Sequence, residues 1–598
     1  ISTMKDFIKF TFATVVGIII STVVMFFIMM GIISGIISSA TEDKMTEVKP
    51  NSIIEMRLDK GITERTSKNP MSNFNFGSMD MDQAIGLDDI LKNLEKAKTD
   101  ENIKGIFLNL SSVPTGVATI EEVREALINF KDSSGKFIIA YGDFMSQGAY
   151  YIATAADRIY INPEGLVEFK GLNAEIMFFT KALENLGVTP QIIRGKNNRF
   201  KSAVEPFMYT EMSDDNRKQT ETYMFSIWNH LLTGISKSRG VSVDELNIYA
   251  DSMLISSAEK AKEYKLVDDI KYMDEVIAEL KSLAGLEDSK DLRLVSIDKY
   301  TNSPKKREQG KGLIKEKIAI VYANGQIDMG EGDEEAIGSE GLSEAIREAR
   351  LDSSIKAIVL RVNSPGGSAL ASEVIWREVA LAKQSKPLIV SMGDYAASGG
   401  YYIACPADVI VTNPTTLTGS IGVFGILWNA EELLSDKIGV TFDRVMTNKH
   451  SDIGSIYRPM STEESDIIQI EVDNVYHTFK SHVSEARNMT IEQVDSIGQG
   501  RVWSGINALE IGLVDEIGGI RKAIDIAADR AGLDEYRIVT LPEIEDPFEK
   551  IIKEMTGQAE ISAMKKHLGP TYSYFKMMKQ AFCLRGVQAR LPYAIEIH

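Results

Sequence analysis

Hydrophobic and polar positions along the chain fall into three patterns, each predicting a different element. From Phe10 to Ala40 no charged residue interrupts a run made mostly of Val, Ile, Phe, Met and Gly. About 20 apolar residues cross the hydrocarbon core of a bilayer, so this run predicts a transmembrane helix at 10–40. The apolar region of a cleavable leader is shorter, ~7–15 residues. Ser38-Ser39-Ala40 still resembles a cleavage site, and that alternative stays open. In the second pattern, short continuous apolar runs read as buried strands: Ser52–Leu58, Ile103–Leu110, Lys317–Asn324, Ile355–Val362 and the run opening at Pro387. The last of these is expected to break at Met392-Gly393-Asp394, with a helical apolar pattern taking over at Tyr401-Tyr402-Ile403-Ala404. The third pattern is polar and rich in breakers. It predicts a linker at 41–50, a loop at Pro70–Ser78 and a joint at Asn302–Gly312.

The apolar runs recur at a constant offset. Ile103-Lys-Gly-Ile-Phe-Leu-Asn-Leu110 answers Ile355-Lys-Ala-Ile-Val-Leu-Arg-Val362. Tyr141-Gly-Asp-Phe-Met-Ser-Gln-Gly-Ala-Tyr-Tyr-Ile-Ala153 answers Met392-Gly-Asp-Tyr-Ala-Ala-Ser-Gly-Gly-Tyr-Tyr-Ile-Ala404. Asn162-Pro163 answers Asn413-Pro414, and Leu266–Ile270 answers Leu513–Ile517, all in a register of about 250 residues. The chain is therefore a duplication of an α/β unit in which strands and helices alternate. The expected organisation is a cytoplasmic N-terminus at 1–9, an anchor at 10–40, a linker at 41–50 and a first repeat at 51–299. A joint at 300–316, a second repeat at 317–540 and a C-terminal tail at 541–598 complete it.

Bulk properties narrow the classes. A chain of 598 residues exceeds what one core organises. The formal charge of −19 argues against nucleic acid as a partner. Two cysteines, Cys405 and Cys583, make neither a disulfide framework nor a zinc pattern, so no metal or cofactor is expected. Lys5 and Lys9 precede the apolar run and Glu42-Asp43 follow it, which predicts a cytoplasmic N-terminus and a bulk across the membrane.

The two copies differ where chemistry would sit. Ser398 is expected at a strand-to-helix corner, followed by Gly399-Gly400, which suits a nucleophile as well as a glycine-rich turn. Upstream, Asn363-Ser-Pro-Gly-Gly-Ser368 places two glycines at a strand end, where free backbone N–H groups could bind an oxyanion. In the first copy Ser398 is replaced by Gln147, and Gly366-Gly367 by Val113-Pro114 or Pro114-Thr115. A serine nucleophile needs a base. None of the six histidines falls inside a glycine motif, which turns attention to lysine. Lys201, among Phe200, Ala203 and Val204, has a setting that disfavours an ammonium, though a surface lysine also fits. The repeat register matches Lys201 to Ser451, so Lys449 or His450 is a rival base within the second copy. Tyr150-Tyr151, Tyr401-Tyr402, Trp503 and Ile517–Ile520 read as packing, Asp143 and Asp394 as turn or cap residues, and Glu373 as a helix N-terminal charge.

These motifs resemble the signal peptide peptidase A family of the long, duplicated type, related in fold to ClpP and the crotonases. The likeness rests on Asn363–Ser368, Gly393-Asp394 with Ala397–Gly400, Leu417–Gly422 and Phe200–Pro206. It extends to the anchor and the tail Leu584–Arg590. It implies Ser398 as nucleophile, Lys201 as general base, Ser420 as the group that orients the lysine, and Gly367 and Gly399 N–H as the oxyanion hole. It also implies two ClpP/crotonase-like repeats, a homotetramer, no cofactor, and remnant signal peptides as substrates at the outer face of a bacterial inner membrane. A crotonase-like acyl-CoA enzyme and a non-catalytic membrane-tethered scaffold are the competing readings.

Overall fold

In the computed structural model the described residues are 46–67, 84–304, 314–544 and 586–591, with scattered positions between 9 and 25. Most of the expected anchor at 10–40 lies outside them, as do the loop at 70–78 and most of the tail. Among the described residues no helix is long and apolar enough to cross a membrane.

The principal strands of the first half are β1 (Ser52–Met56), β2 (Ile103–Asn109), β3 (Phe137–Met145), β4 (Arg158–Val167), β5 (Thr189–Arg194), β6 (Asp269–Ile270) and β7 (Leu294–Ser296). All but β5 form a parallel sheet in the order β6–β4–β3–β2–β1–β7. Helices α1 (Val117–Ser134), α2 (Gln147–Ala153) and α3 (Asp214–Arg239) belong to this half.

The second half opens with β8 (Lys317–Asn324), β9 (Gln326–Asp328), β10 (Ala336–Gly338), β11 (Ile355–Ser364) and β12 (Gly366–Ser368). It continues through β13 (Leu388–Ala397), β14 (Val409–Thr412), β15 (Leu417–Gly419), β16 (Phe424–Asn429), β17 (Val502–Ser504), β18 (Arg537–Leu541) and β19 (Gly586–Arg590). Its helices include α4 (Ala369–Lys383), α5 (Gly399–Ala404) and α6 (Thr462–Arg487). The second sheet runs β17–β15–β13–β11–β8–β18, with β14 also on β13. Central strands buried on both faces carry continuous apolar runs rather than alternation. On β8, Ile318, Ile320 and Tyr322 join the buried cluster of the first half, while Ala319, Val321 and Ala323 face the core of the second. The halves are thus packed sheet to helix across one shared interior.

Duplication is visible in matched contacts as well as matched strands. Tyr150 donates to Leu266 O and Tyr401 to Leu513 O, at 2.8 and 2.7 Å. Arg239 pairs with Asp268 at the end of α3, and Arg487 with Asp515 at the end of α6. Both tyrosine pairs are buried, as expected of packing residues.

One element departs from the sequence reading. β13 does not end at Met392; it runs on to Ala397, with a register shift against β11 between the pairs Val362–Met392 and Ser364–Ala396. The glycine and aspartate mark a bulge, in which Tyr395 N–H donates to Asn363 Oδ1 at 3.1 Å and Asp394 turns toward the first half. Asp394 does cap a helix, but one in that other half: it accepts from Thr119 N–H and Oγ1 in the first turn of α1, at 3.0 and 2.7 Å.

A third sheet, β10–β9–β12–β19–β16–β5, takes strands from both halves. β5 lies antiparallel on β16 from Arg194–Phe424 to Thr189–Asn429, which anchors the segment that leads to Lys201.

Candidate active site

Ser398 joins β13 to α5 with φ 55° and ψ −114°, a backbone region that non-glycine residues rarely occupy. The corner is held from both sides: Ser398 N–H donates to Gly419 O, and Tyr402 N–H donates to Ser398 O, both at 2.8 Å. Such strain persists only where the surroundings over-determine it. The matching corner of the first half is relaxed. Ser146 is an ordinary cap of α2 with φ −64°, and Gln147 hydrogen-bonds the backbone of Lys170 and Gly171.

Lys201 reaches this corner from the first half. It precedes a 3-10 turn at Ser202–Phe207, in a loop pinned at several points. Asn198 Nδ2 donates to Val423 O at 2.8 Å, and Phe200 N–H to Gln499 O at 3.0 Å. From α3, Gln219 Nε2 donates to Phe200 O and Ser202 Oγ, while its Oε1 accepts from Val502 N–H. Buried Glu205 accepts from Ser213 Oγ and Asn216 Nδ2, tying the turn to the start of α3. Gly500 packs so tightly on Lys201 that a Cβ there would come within 2.5 Å of the Lys201 Cβ, and its φ is +80°. Gln219 and Gly500 carry no motif, so sequence reading passes over them, and Glu205 lies within Phe200–Pro206 without a role read for it.

Lys201 Nζ lies 2.8 Å from Ser398 Oγ, 3.0 Å from Ser420 Oγ and 3.1 Å from Ser420 O. All three residues are fully buried. Burial holds the Lys201 amine well below the usual lysine range, because an ammonium there has lost its water. A neutral amine offers a lone pair to one hydroxyl while donating to a carbonyl. That is the arrangement around Ser398 Oγ and Ser420 O.

The two glycine turns also converge. Gly366, with φ +94°, brings its Cα side against Gly399 N, which would stand 2.7 Å from a Cβ at Gly366. Gly399 opens α5, where the first N–H groups have no partner within the helix. Gly367 sits next in β12. The rival lysine is elsewhere: Lys449 is exposed and paired with Glu463, and His450 lies against Glu463 and Glu464. Ser451 is exposed and donates to Asn448 O. Glu373 stands beyond the first turn of α4, bonded to the Tyr402 hydroxyl and to His482 Nε2, so it is not an N-terminal helix charge.

A buried ionic joint underlies the site and was not foreseen from sequence. Arg361, fully buried on β11, bonds both carboxylate oxygens of Glu64 at 2.8 and 3.1 Å and lies 2.7 Å from Glu122 Oε1. Both acids belong to the first half. Burial raises the pKa of Glu64, although Arg361 opposes the shift.

Known proteins share this chain at family level. Peptidase family S49 matches residues 130–287 and 380–534. "Protease 4" of Haemophilus influenzae is 37% identical over 449 residues, covering 73% of this chain and 72% of that one. "Serine protease SPPA, chloroplastic" of Arabidopsis thaliana is 32% identical over 549 residues, covering 91% and 78%. "Protease 4" of Salmonella typhi is 37% identical over 490 residues, covering 80% and 78%. Among solved structures, a ClpP1 mutant from Listeria monocytogenes aligns with 34% of this chain and 94% of its own, at 16% identity and a TM-score of 0.24. Two matched S49 regions, one in each half of a mixed α/β chain, and relatives covered over most of their length make this chain a serine protease belonging to peptidase family S49.

Proposed function

We propose that the chain is a membrane-anchored endopeptidase in which Ser398 is the nucleophile and Lys201 the general base, and that it degrades remnant signal peptides after their release from secreted proteins. The observation that carries this reading is the 2.8 Å approach of the Lys201 amine to the Ser398 hydroxyl in a site closed to water.

The chemistry follows from those positions. Neutral Lys201 accepts the Ser398 proton as Oγ attacks the scissile carbonyl. Ser420, through Oγ and O, keeps the amine aimed at the hydroxyl. The N–H groups of Gly367 and Gly399 take the developing oxyanion. The new ammonium returns its proton to the departing amine, leaving an ester on Ser398, and neutral Lys201 then activates the water that hydrolyses it. A buried lysine serves as base because it gives up its proton more readily than an exposed one.

The remaining parts of the proposal rest on the sequence. The apolar run at 10–40 is the anchor, with the catalytic bulk on the outer side of a bacterial inner membrane. Each half is read as a ClpP/crotonase-like repeat, and the chain as a homotetramer. Peptide substrates of apolar character suit a centre tethered beside the bilayer. The test is labelling of the full chain with a fluorophosphonate, followed by mapping of the modified residue. Modification at Ser398, lost in Lys201→Ala, is the expected result. Labelling at another serine removes the assignment. Hydrolysis of synthetic signal peptides in detergent tests the substrate class.

A further inference from the structure

Each half of the chain closes a carboxylate between a tyrosine and a histidine. In the second half the Tyr402 hydroxyl donates to Glu373 Oε2, and His482 Nε2 stands 3.0 Å from the same oxygen. In the first half the Tyr151 hydroxyl donates to Glu121 Oε2 at 2.6 Å, and His230 Nε2 stands 3.2 Å from Oε1. Glu121 answers Glu373 and Tyr151 answers Tyr402 in the repeat register, but the histidines do not answer each other. α3 and α6 are each 26 residues long, with Ser213 and Ser461 as their N-caps. Counted from those caps, His230 falls opposite Thr478 and His482 opposite Gly234, about one helical turn further on. The contact is thus made twice, although the residue that completes it sits on a different turn of the helix.

What the contact holds differs between the halves. α5 has only 6 residues, and so short a helix leaves most of its backbone groups without an intrahelical partner. Its place is set from outside by two adjacent hydroxyls, Tyr401 on Leu513 O at 2.7 Å and Tyr402 on Glu373. Tyr402 N–H also donates to Ser398 O at 2.8 Å, and Ser398 is the strained residue, with φ 55°. A slide or rotation of α5 therefore moves the Ser398 hydroxyl and the Gly399 amide together. α2 is held by the same two tyrosine contacts, but Ser146 before it is an ordinary cap with φ −64°, so no strained corner stands behind it. The neighbours of the carboxylates differ as well. In the first half the Arg124 guanidinium lies over the Tyr151 ring at 4.6 Å. Trp376 takes that register position in the second half and stacks on His482, with ring centroids 3.6 Å apart. The bond from His482 holds the Glu373 carboxyl below its usual range, against the opposing effect of burial.

We propose that Glu373 is a positioning residue for the nucleophile. Braced by His482, it holds Tyr402 and thereby sets the Ser398 hydroxyl and the Gly399 amide in their reactive places. Glu121 makes the same brace where nothing reacts. This inference rests on Ser398 being the nucleophile. Glu373 acts through Tyr402 and touches none of the reacting atoms. A misplacement of about 1 Å at a reacting group costs up to about a hundredfold in rate, so a smaller shift of α5 is enough to be read in kcat.

The test compares the two braces in the full chain. Tyr402→Phe removes one hydroxyl and leaves Glu373 paired with His482. Glu373→Leu removes the carboxylate. Glu373→Gln restores one oxygen, which can accept from both neighbours because Tyr402 and His482 share Oε2. Tyr151→Phe and Glu121→Leu are the matched changes in the first half. Peptide-ester hydrolysis, the rate of fluorophosphonate labelling at Ser398 and urea midpoints are measured for each. Tyr402→Phe and Glu373→Leu are expected to lower kcat and the labelling rate about tenfold, with KM within about twofold of the parent. Glu373→Gln is expected to recover most of that loss. The first-half variants are expected to lower the urea midpoint at least as far, because the Glu121 side chain is 7% exposed against 41% for Glu373, yet to keep kcat within about twofold. Parent kcat in Tyr402→Phe and Glu373→Leu overturns the inference. So does an equal loss of kcat in the first-half variants, since the brace would then serve the fold alone. A Glu373→Gln chain as slow as Glu373→Leu overturns the hydrogen bond as the link. If the parent chain does not label at Ser398, the catalytic reading itself has failed, which is a separate result.

Discussion

Lys201 Nζ and Ser398 Oγ meet at 2.8 Å although 197 positions of sequence separate them. The amine is delivered by one copy of a duplicated unit and the hydroxyl by the other. Replacing either is expected to remove peptide-ester hydrolysis while leaving the fold intact. Ser398→Ala should fall to about one thousandth or less of the parent rate. Lys201→Ala should lose about 10²–10⁴-fold, the usual worth of a positioned base. Near-ultraviolet circular dichroism should be unchanged in both, and a variant that keeps full activity would displace its residue from the role.

The lysine also sets a pH profile. Burial depresses its pKa, so kcat/KM is expected to rise with pH through a midpoint below the usual lysine value of about 10.4. The same shift has a sign for stability. Between the depressed native pKa and the ordinary value, the unfolded chain holds a proton on Lys201 that the native chain does not. Stability linked to this residue therefore rises with pH across that interval and is lost as pH falls through it. Lys201→Met should flatten that part of the curve and be the more stable protein at its acid end, as read from urea midpoints at several pH values.

Gly500 tests how finely the amine is placed. An alanine there must adopt φ +80° and meet the Lys201 Cβ at 2.5 Å. The backbone cost is about 1–2 kcal/mol, small beside the stability of a folded domain. A shift of the lysine by a fraction of its reach should still lower kcat about 10–100-fold. Gly500→Ala with full kcat and unaltered melting would show that the loop gives way without moving the amine.

Sequence alone carried the reading a long way where local pattern or repetition was involved. The 250-residue register exposed Ser398 against Gln147, and the apolar runs marked the central strands. The glycine turns are legible from their place at strand ends and Lys201 from its apolar neighbours, but the choice of Lys201 as base comes from the family likeness, since a surface lysine fits the same local setting. What stayed hidden depends on distant partners. The break signal at Gly393-Asp394 is a bulge because Asp394 is drawn to Thr119 in the other half. Arg361 looks like any charged residue in an apolar strand until Glu64 and Glu122 close around it. β19 holds few apolar residues and pairs across more than 150 positions, so no window around it shows where it goes.

The Arg361 joint is expected to dominate coupling between the halves. Arg361→Met leaves Glu64 and Glu122 buried without their cation, and should cost about 3–5 kcal/mol. Adding Glu64→Gln and Glu122→Gln should recover part of that loss by removing the stranded charges. Chemical denaturation of the parent chain, Arg361→Met and the triple variant measures both steps. A single arginine replacement with parent stability would show that the joint does not couple the halves.

The relaxed corner at Gln147 bears on how such a chain can change over generations. Converting that glutamine back to serine would not give a second centre. The stretch of the later copy that answers the lysine loop, around Lys449 and Ser451, is turned to solvent with its cation spent on Glu463. Each ancestral unit has kept a different tool and discarded the other, so reversal would need several coordinated replacements in both. If Ser398 and Lys201 act as proposed, the division of labour is a ratchet: a chain that shed either half would lose one member of the pair.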